Sequence, residues 1–171
     1  RIAASCRYPV PMQTDTAATS DRPARSPVLV LTRLLALFYD LWPVLALWLL
    51  ISAAFTVGYT YLGQHPEREN IAPYSALAWL LWCCCWLVSG LYATASWHRG
   101  GQTLGMRPWR LRVRAPDGGA ASLGRLWLRF LAGHLSLLAG GLGFWWAWID
   151  RDGLAWHDRL SGTRIERLPK P

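Results

Sequence analysis

The stretch from Leu34 to Tyr59 runs for about 26 residues with Asp40 as its one ionisable side chain of low pKa. Roughly 20 apolar residues in a helix cross the hydrocarbon core of a bilayer, so this run predicts a membrane span. A second run, Ala72 to Ala95, is about 24 residues long and carries no charge. It predicts a second span. A chain that must place both runs out of water cannot fold as an ordinary soluble domain.

Composition matters here only for what it excludes. Hydrophobic residues make up 53% and charged residues 16% of the 171-residue chain, against a charged share of about 25% in soluble domains. That length holds one compact helical unit. The net charge of +8 could point to nucleic acid, but the arginines flank apolar runs and form no soluble basic face. Anionic lipid headgroups are the expected partner, and nucleic acid is not. Many of the twelve tryptophans lie near run ends, among them Trp79, Trp97, Trp127, Trp145, Trp146, Trp148 and Trp156, where indole anchors a helix at the headgroup boundary.

Charge also orients the chain. From Trp97 to Phe130 there are seven arginines and one acid, Asp117, which by the positive-inside rule puts this segment in the cytoplasm. Arg22, Arg25 and Arg33 put the N-terminus on the same side. The expected arrangement is therefore a multi-pass membrane protein with a cytoplasmic N-terminus. Residues 1–27, rich in Pro, Ala, Ser and Thr, read as a disordered tail, residues 28–168 as the membrane domain, and 169–171 as a short tail.

Within the basic segment Trp109, Leu111 and Val113 alternate with Arg110, Arg112 and Arg114 before the turn residues Pro116 to Gly119. A period of two predicts a short strand. Its best partner is Gly162 to Arg167, where Thr163 and Ile165 alternate with Arg164 and Glu166. The third apolar region, about 123–149, opens amphipathically with Arg125 and Arg129 and is broken by Gly140, Gly141 and Gly143. Glycines weaken a helix interior by roughly 1 kcal/mol each. Two arrangements follow: one tilted span, or two shorter helices folding back at the glycines. The second is preferred because it lets the two strands meet. The fold expected is an all-α integral membrane protein with two transmembrane helices, a third glycine-broken apolar region and a small hairpin-like β element.

Arg33 and Asp40 lie seven positions apart, on one helix face but separated by a rise of roughly 10 Å. They cannot pair with each other in a straight helix, so each needs a partner elsewhere. Pro43 frees the carbonyl of Tyr39 beside Asp40. A carboxylate and a loosened carbonyl suit a hard cation, and poor hydration raises a carboxyl pKa towards proton exchange. Asp40 is accordingly a candidate proton or cation site; the equal alternative is a structural carboxyl bonded to a neighbouring helix.

Arg33 with Asp40, then Gly101-Gln102-Thr103-Leu104-Gly105-Met106, then His157-Asp158-Arg159-Leu160-Ser161-Gly162-Thr163, together resemble the RDD family of small bacterial membrane proteins over about residues 28 to 168. The family takes its name from one arginine and two aspartates. The resemblance implies Arg33, Asp40 and Asp158 in those places, with Asp150 competing for the last. It also implies transport, including cation/proton antiport for some members. For Arg33 the preferred reading is a side chain snorkelling to headgroups, and the alternative is an ion pair with Asp158.

Other residues carry less. Cys83, Cys84 and Cys85 point about 100° apart on a helix and read as apolar filler, while His134 and His157 lack a Glu or Cys at ligand spacing and read as packing residues. No metal site, P-loop, GxGxxG, GxSxG or HExxH is found, so neither a cofactor nor catalysis is expected. Two function classes stand: a small transporter exchanging Na⁺, K⁺ or H⁺, working as a homo-oligomer, or a non-transporting scaffold or accessory subunit that binds a partner membrane protein or anionic lipid.

Overall fold

The computed structural model describes residues 27–64 and 70–169. Residues 1–26 of the expected N-terminal tail, with Arg22 and Arg25, and residues 170–171 of the C-terminal one lie outside these residues, while Pro27 opens the first helix. The longest element is α1, Pro27–Val57, which continues through Pro43 and ends in a π-helical turn, Gly58–Leu62. The second, α2, is Ala76–Gly100. Both are long and apolar enough to cross a membrane. α2 starts four residues later than the apolar run, because the Ser75 hydroxyl accepts the Ala78 N–H as an N-cap. It runs on to Gly100, since the apolar count ends before the helical hydrogen bonds do. Gly101 then closes it with φ +72°, a left-handed conformation that glycine adopts without steric cost.

Only 6% of the spanning window of α1 and 17% of that of α2 are buried within the chain, so most of their apolar surface is left for lipid to cover. Where the two helices touch, polar groups hold them. The Trp48 indole N–H lies 2.9 Å from Ser89 Oγ and 3.1 Å from the Cys85 carbonyl. Such bonds have no water to compete with in hydrocarbon.

The third apolar region is broken at the expected glycines. α3, Leu123–Leu138, and α4, Leu142–Ile149, are bent by 97°. Gly140 and Gly141 sit at φ +69° and +78°; two successive left-handed residues end a right-handed helix, and glycine adopts that backbone without the clash a β-carbon would bring. The bend is a right angle rather than a full reversal. A short α5, Trp156–Ser161, follows.

Strand β1, Leu111–Arg114, pairs antiparallel with β2, Arg164–Arg167, with Val113 opposite Ile165 and Arg112 opposite Glu166. The pairing is the one the alternating residues predict, but it is no local hairpin: α3, α4 and α5 lie between the strands. The strand also starts two residues later than its pattern, because Arg110 has φ +56° in the preceding turn. Leu111 and Val113 point into a small core with Ala36, Met106 and Leu126, covered by Trp97, Trp109 and Ile165. The other edge of β1 is bonded by the loop after α2, through Val113 N–H to the Gly101 carbonyl at 2.7 Å and Leu111 N–H to Met106 at 3.1 Å.

The tryptophans near the run ends fall into two groups. Trp79, Trp145, Trp146 and Trp148 are exposed. Trp97, Trp127 and Trp156 are half-buried: Trp97 packs on the core and Trp127 against α2, where a β-carbon built on Gly90 would stand 2.5 Å from its ring. Gly90→Val should therefore force α3 off α2 at a cost of roughly 1–3 kcal/mol, read as a fall in the detergent melting temperature. An unchanged melting temperature would mean that the helices are not in contact there.

Candidate functional site

The polar centre is assembled from three helices. α1 presents Arg33, α3 presents Arg129 and α5 presents Asp158, which is fully buried. Arg129 Nη1 lies 2.5 Å from Asp158 Oδ1 and also donates to Thr163 Oγ1 at 2.6 Å. Arg33 Nη1 stands 3.0 Å from Asp158 Oδ2, and the Ala155 N–H donates to that oxygen at 3.0 Å. The Trp97 ring lies 5.5 Å from the Arg129 guanidinium carbon, within cation–π range. Burial pushes the Asp158 carboxyl up, but Arg129, Arg33, His157 and the Ala155 N–H together outweigh it and hold its pKa below the usual carboxylate range.

Arg33 is 6% exposed. The snorkelling reading is thereby corrected: the guanidinium is turned into the protein, onto the carboxylate that α5 supplies. Its contact to Asp158 is an ion pair in distance but not an aligned hydrogen bond. Nε and Nη1 of Arg33, and Nδ1 of His157, are buried without a hydrogen-bond partner among the described residues.

Asp150, the competing acid, caps α4 elsewhere. It accepts from the Leu154 N–H at 2.9 Å and pairs with Arg159, which also lies 3.6 Å from Asp152. Burial raises its pKa, but the Leu154 N–H and Arg159 outweigh that and leave it lowered. The acid that Arg33 reaches is Asp158.

Asp40 makes a second polar station on α1. Tyr92 Oη donates to Oδ1 at 2.8 Å, the Gly105 N–H donates to the same oxygen at 2.9 Å, and Thr103 Oγ1 donates to Oδ2. The Leu104 N–H in turn lies 3.2 Å from Tyr92 Oη. The carboxyl thus clamps the loop 101–106 onto α1. Gly105 is the residue that lets the backbones meet, for a β-carbon there would collide with the Ala36 carbonyl and with Asp40 itself.

Sequence reading did not foresee Arg129 as the main partner of Asp158, nor Tyr92, Thr103 and Gly105 as partners of Asp40. A signal for the first existed: Arg129 is a charge set between Leu128 and Phe130 on an apolar helix face. His134 packs as expected, 4.3 Å from the Phe130 ring, with Nδ1 2.9 Å from the Phe130 carbonyl. The three cysteines are unpaired and differ in exposure from Cys83, exposed, to Cys85, buried. No three His, Cys, Asp or Glu side chains converge among the described residues.

A sequence model described as the RDD family matches residues 27–162. No curated protein and no solved structure matches the chain.

Two predictions follow from the charge cluster. Asp158→Asn leaves two buried guanidiniums without their counter-charge and should cost about 3–5 kcal/mol, whereas Asp150→Asn, at an α4 end, should cost less; equal losses in detergent melts would deny Asp158 its central place. The second concerns acid. Burial first, then Arg129 and Arg33, push the His157 pKa down to about 3 against the pull of Asp158. Below an ordinary value of about 6.5 the unfolded chain takes up a proton that the folded one refuses. Stability should then fall by roughly 1.4 kcal/mol per pH unit as pH drops from that value towards the folded pKa, with no effect above it. His157→Gln should flatten the decline of melting temperature between pH 7 and 5; a parallel decline would contradict this.

Proposed function

The chain belongs to the RDD family, and from that premise we propose that it is a non-enzymatic membrane scaffold or accessory subunit. Its charged residues hold its own fold, and its exposed faces take a partner membrane protein, a second copy of itself or anionic lipid. The carrying observation is chemical: both oxygens of Asp40 are taken by donors and both oxygens of Asp158 face arginines. A carboxyl that shuttles protons or cations needs an open acceptor in at least one state, and opening Asp40 would release the loop 101–106 from α1.

The topology proposed has α1 and α2 as full spans of a bacterial inner membrane, with the N-terminus in the cytoplasm. Support comes from the arginine-rich segment between α2 and α3 and from the β1–β2 pairing. That pairing starts and ends the α3–α5 region at one place, so the bent pair enters and returns on a single side. Exposed Leu and Trp side chains along α1 and α2, such as Trp42, Leu49, Leu50 and Trp82, fit lipid or a partner helix.

Cation/proton exchange at Asp40 is the second reading. One observation favours it: a cavity between the helices reaches Asp40. Reconstitution decides. Vesicles holding only this protein should show no Na⁺/H⁺ or K⁺/H⁺ exchange above empty vesicles, and Asp40→Asn should lower the melting temperature by loosening the loop. Exchange by the wild type that Asp40→Asn abolishes, with folding intact, would establish the transporter instead.

A further inference from the structure

The cavity between α1, α2, α3 and α5 holds about 580 Å³, within the roughly 300–1,000 Å³ of small-molecule sites. Its two ends differ in chemistry. One end is lined by Arg33, Arg129 and His157, and the other by Val44 and Trp48. From Arg33 to Trp48 along α1 is a rise of roughly 22 Å.

The charged end is not neutral. Arg33 and Arg129 share a single carboxylate, Asp158, which leaves one positive charge over. The N–H groups of Arg33 at Nε and Nη1 and the Nδ1 of His157 have no hydrogen-bond partner among the described residues, although buried polar atoms are nearly always matched. Asp40 also lines the cavity, about two turns further along, but its oxygens are occupied by Tyr92, Thr103 and Gly105. A second anion would be repelled there and attracted at Arg33. Towards the other end the walls are aliphatic and aromatic, and the lining residues Leu37, Phe38 and Leu41 are exposed, so the cavity is open along α1. That exposure gives an entry from the lipid side.

We propose that this cavity binds a single-chain amphiphile with one anionic head, a carboxylate or a phosphate monoester, its head at Arg33 and His157 and its tail along α1 towards Trp48. The site is an open-sided space between the helices, distinct from the surface contact of basic residues with bulk lipid. It stands whether the protein is a scaffold or an exchanger. The head gives Arg33 an acceptor besides the shared Asp158 and cancels the spare charge, while the tail replaces contacts that an empty apolar space forfeits.

The test uses the full chain in nanodiscs of zwitterionic lipid with radiolabelled palmitate as probe. Binding should saturate at one palmitate per chain. Hexadecyl phosphate should displace it, hexadecanol should need about tenfold more because it lacks the charge-assisted bonds, and acetate or inorganic phosphate should not displace it. Gly133 lines the cavity, and a β-carbon there would meet nothing within 4 Å. Gly133→Phe should therefore keep the melting temperature and lose palmitate. Uptake no greater than by empty nanodiscs, equal displacement by hexadecanol, displacement by acetate or inorganic phosphate, or a folded Gly133→Phe that still binds palmitate would each overturn the proposal.

Discussion

The Asp158 carboxylate is the point at which three separate pieces of chain become one fold. It takes Arg33 from the first span, Arg129 from the broken third region and the Ala155 N–H from its own helix start. Removing three charged groups from water costs several kcal/mol per ion, and only close, well-hydrogen-bonded geometry recovers it. That cost makes the cluster selective. Any arrangement that leaves α5 away from α1 and α3 strands two guanidiniums in an apolar place, so misdocked alternatives are penalised more than the native one is rewarded.

Asp40 works by the same logic without a cation. Tyr92 comes from α2, while Thr103 and Gly105 come from the loop that follows it. Three neutral donors spread the carboxylate charge and fix the loop against α1. The loop then bonds the free edge of β1, and β1 recruits β2 from the end of the chain. A single acid on the first span thereby organises the segment that connects the two ends of the third region. Arg33 and Asp40, two turns apart, are two moorings for different parts of the protein.

The cavity runs from one mooring past the other towards Trp48, and its character follows from how the moorings are made. Asp40 is matched by its donors; Arg33 is only partly matched. One end of the space keeps an unmet demand for negative charge, while the helices that enclose the rest are those whose outer faces need lipid. The membrane-facing and ligand-facing surfaces are thus parts of one apolar wall, with Leu37, Phe38 and Leu41 belonging to both.

Hydropathy alone determined that α1 and α2 are long and apolar enough to span, because solvation by lipid acts residue by residue. Local conformational preference likewise determined the break at Gly140–Gly141 and the alternation of β1 and β2, since left-handed backbone and a period of two are properties of short segments. The spacing of Arg33 and Asp40 on a helix was enough to show that they do not pair. Tertiary structure alone decided who meets them. Arg129, 29 positions from Asp158, and Thr103, 63 positions from Asp40, are brought near by the packing of α3 on α2 and by the close approach at Gly105. A buried charge announces in sequence that it needs a partner, but only the folded path of the backbone selects which one, because the Coulomb and hydrogen-bond energies that settle the choice exist only at contact distance.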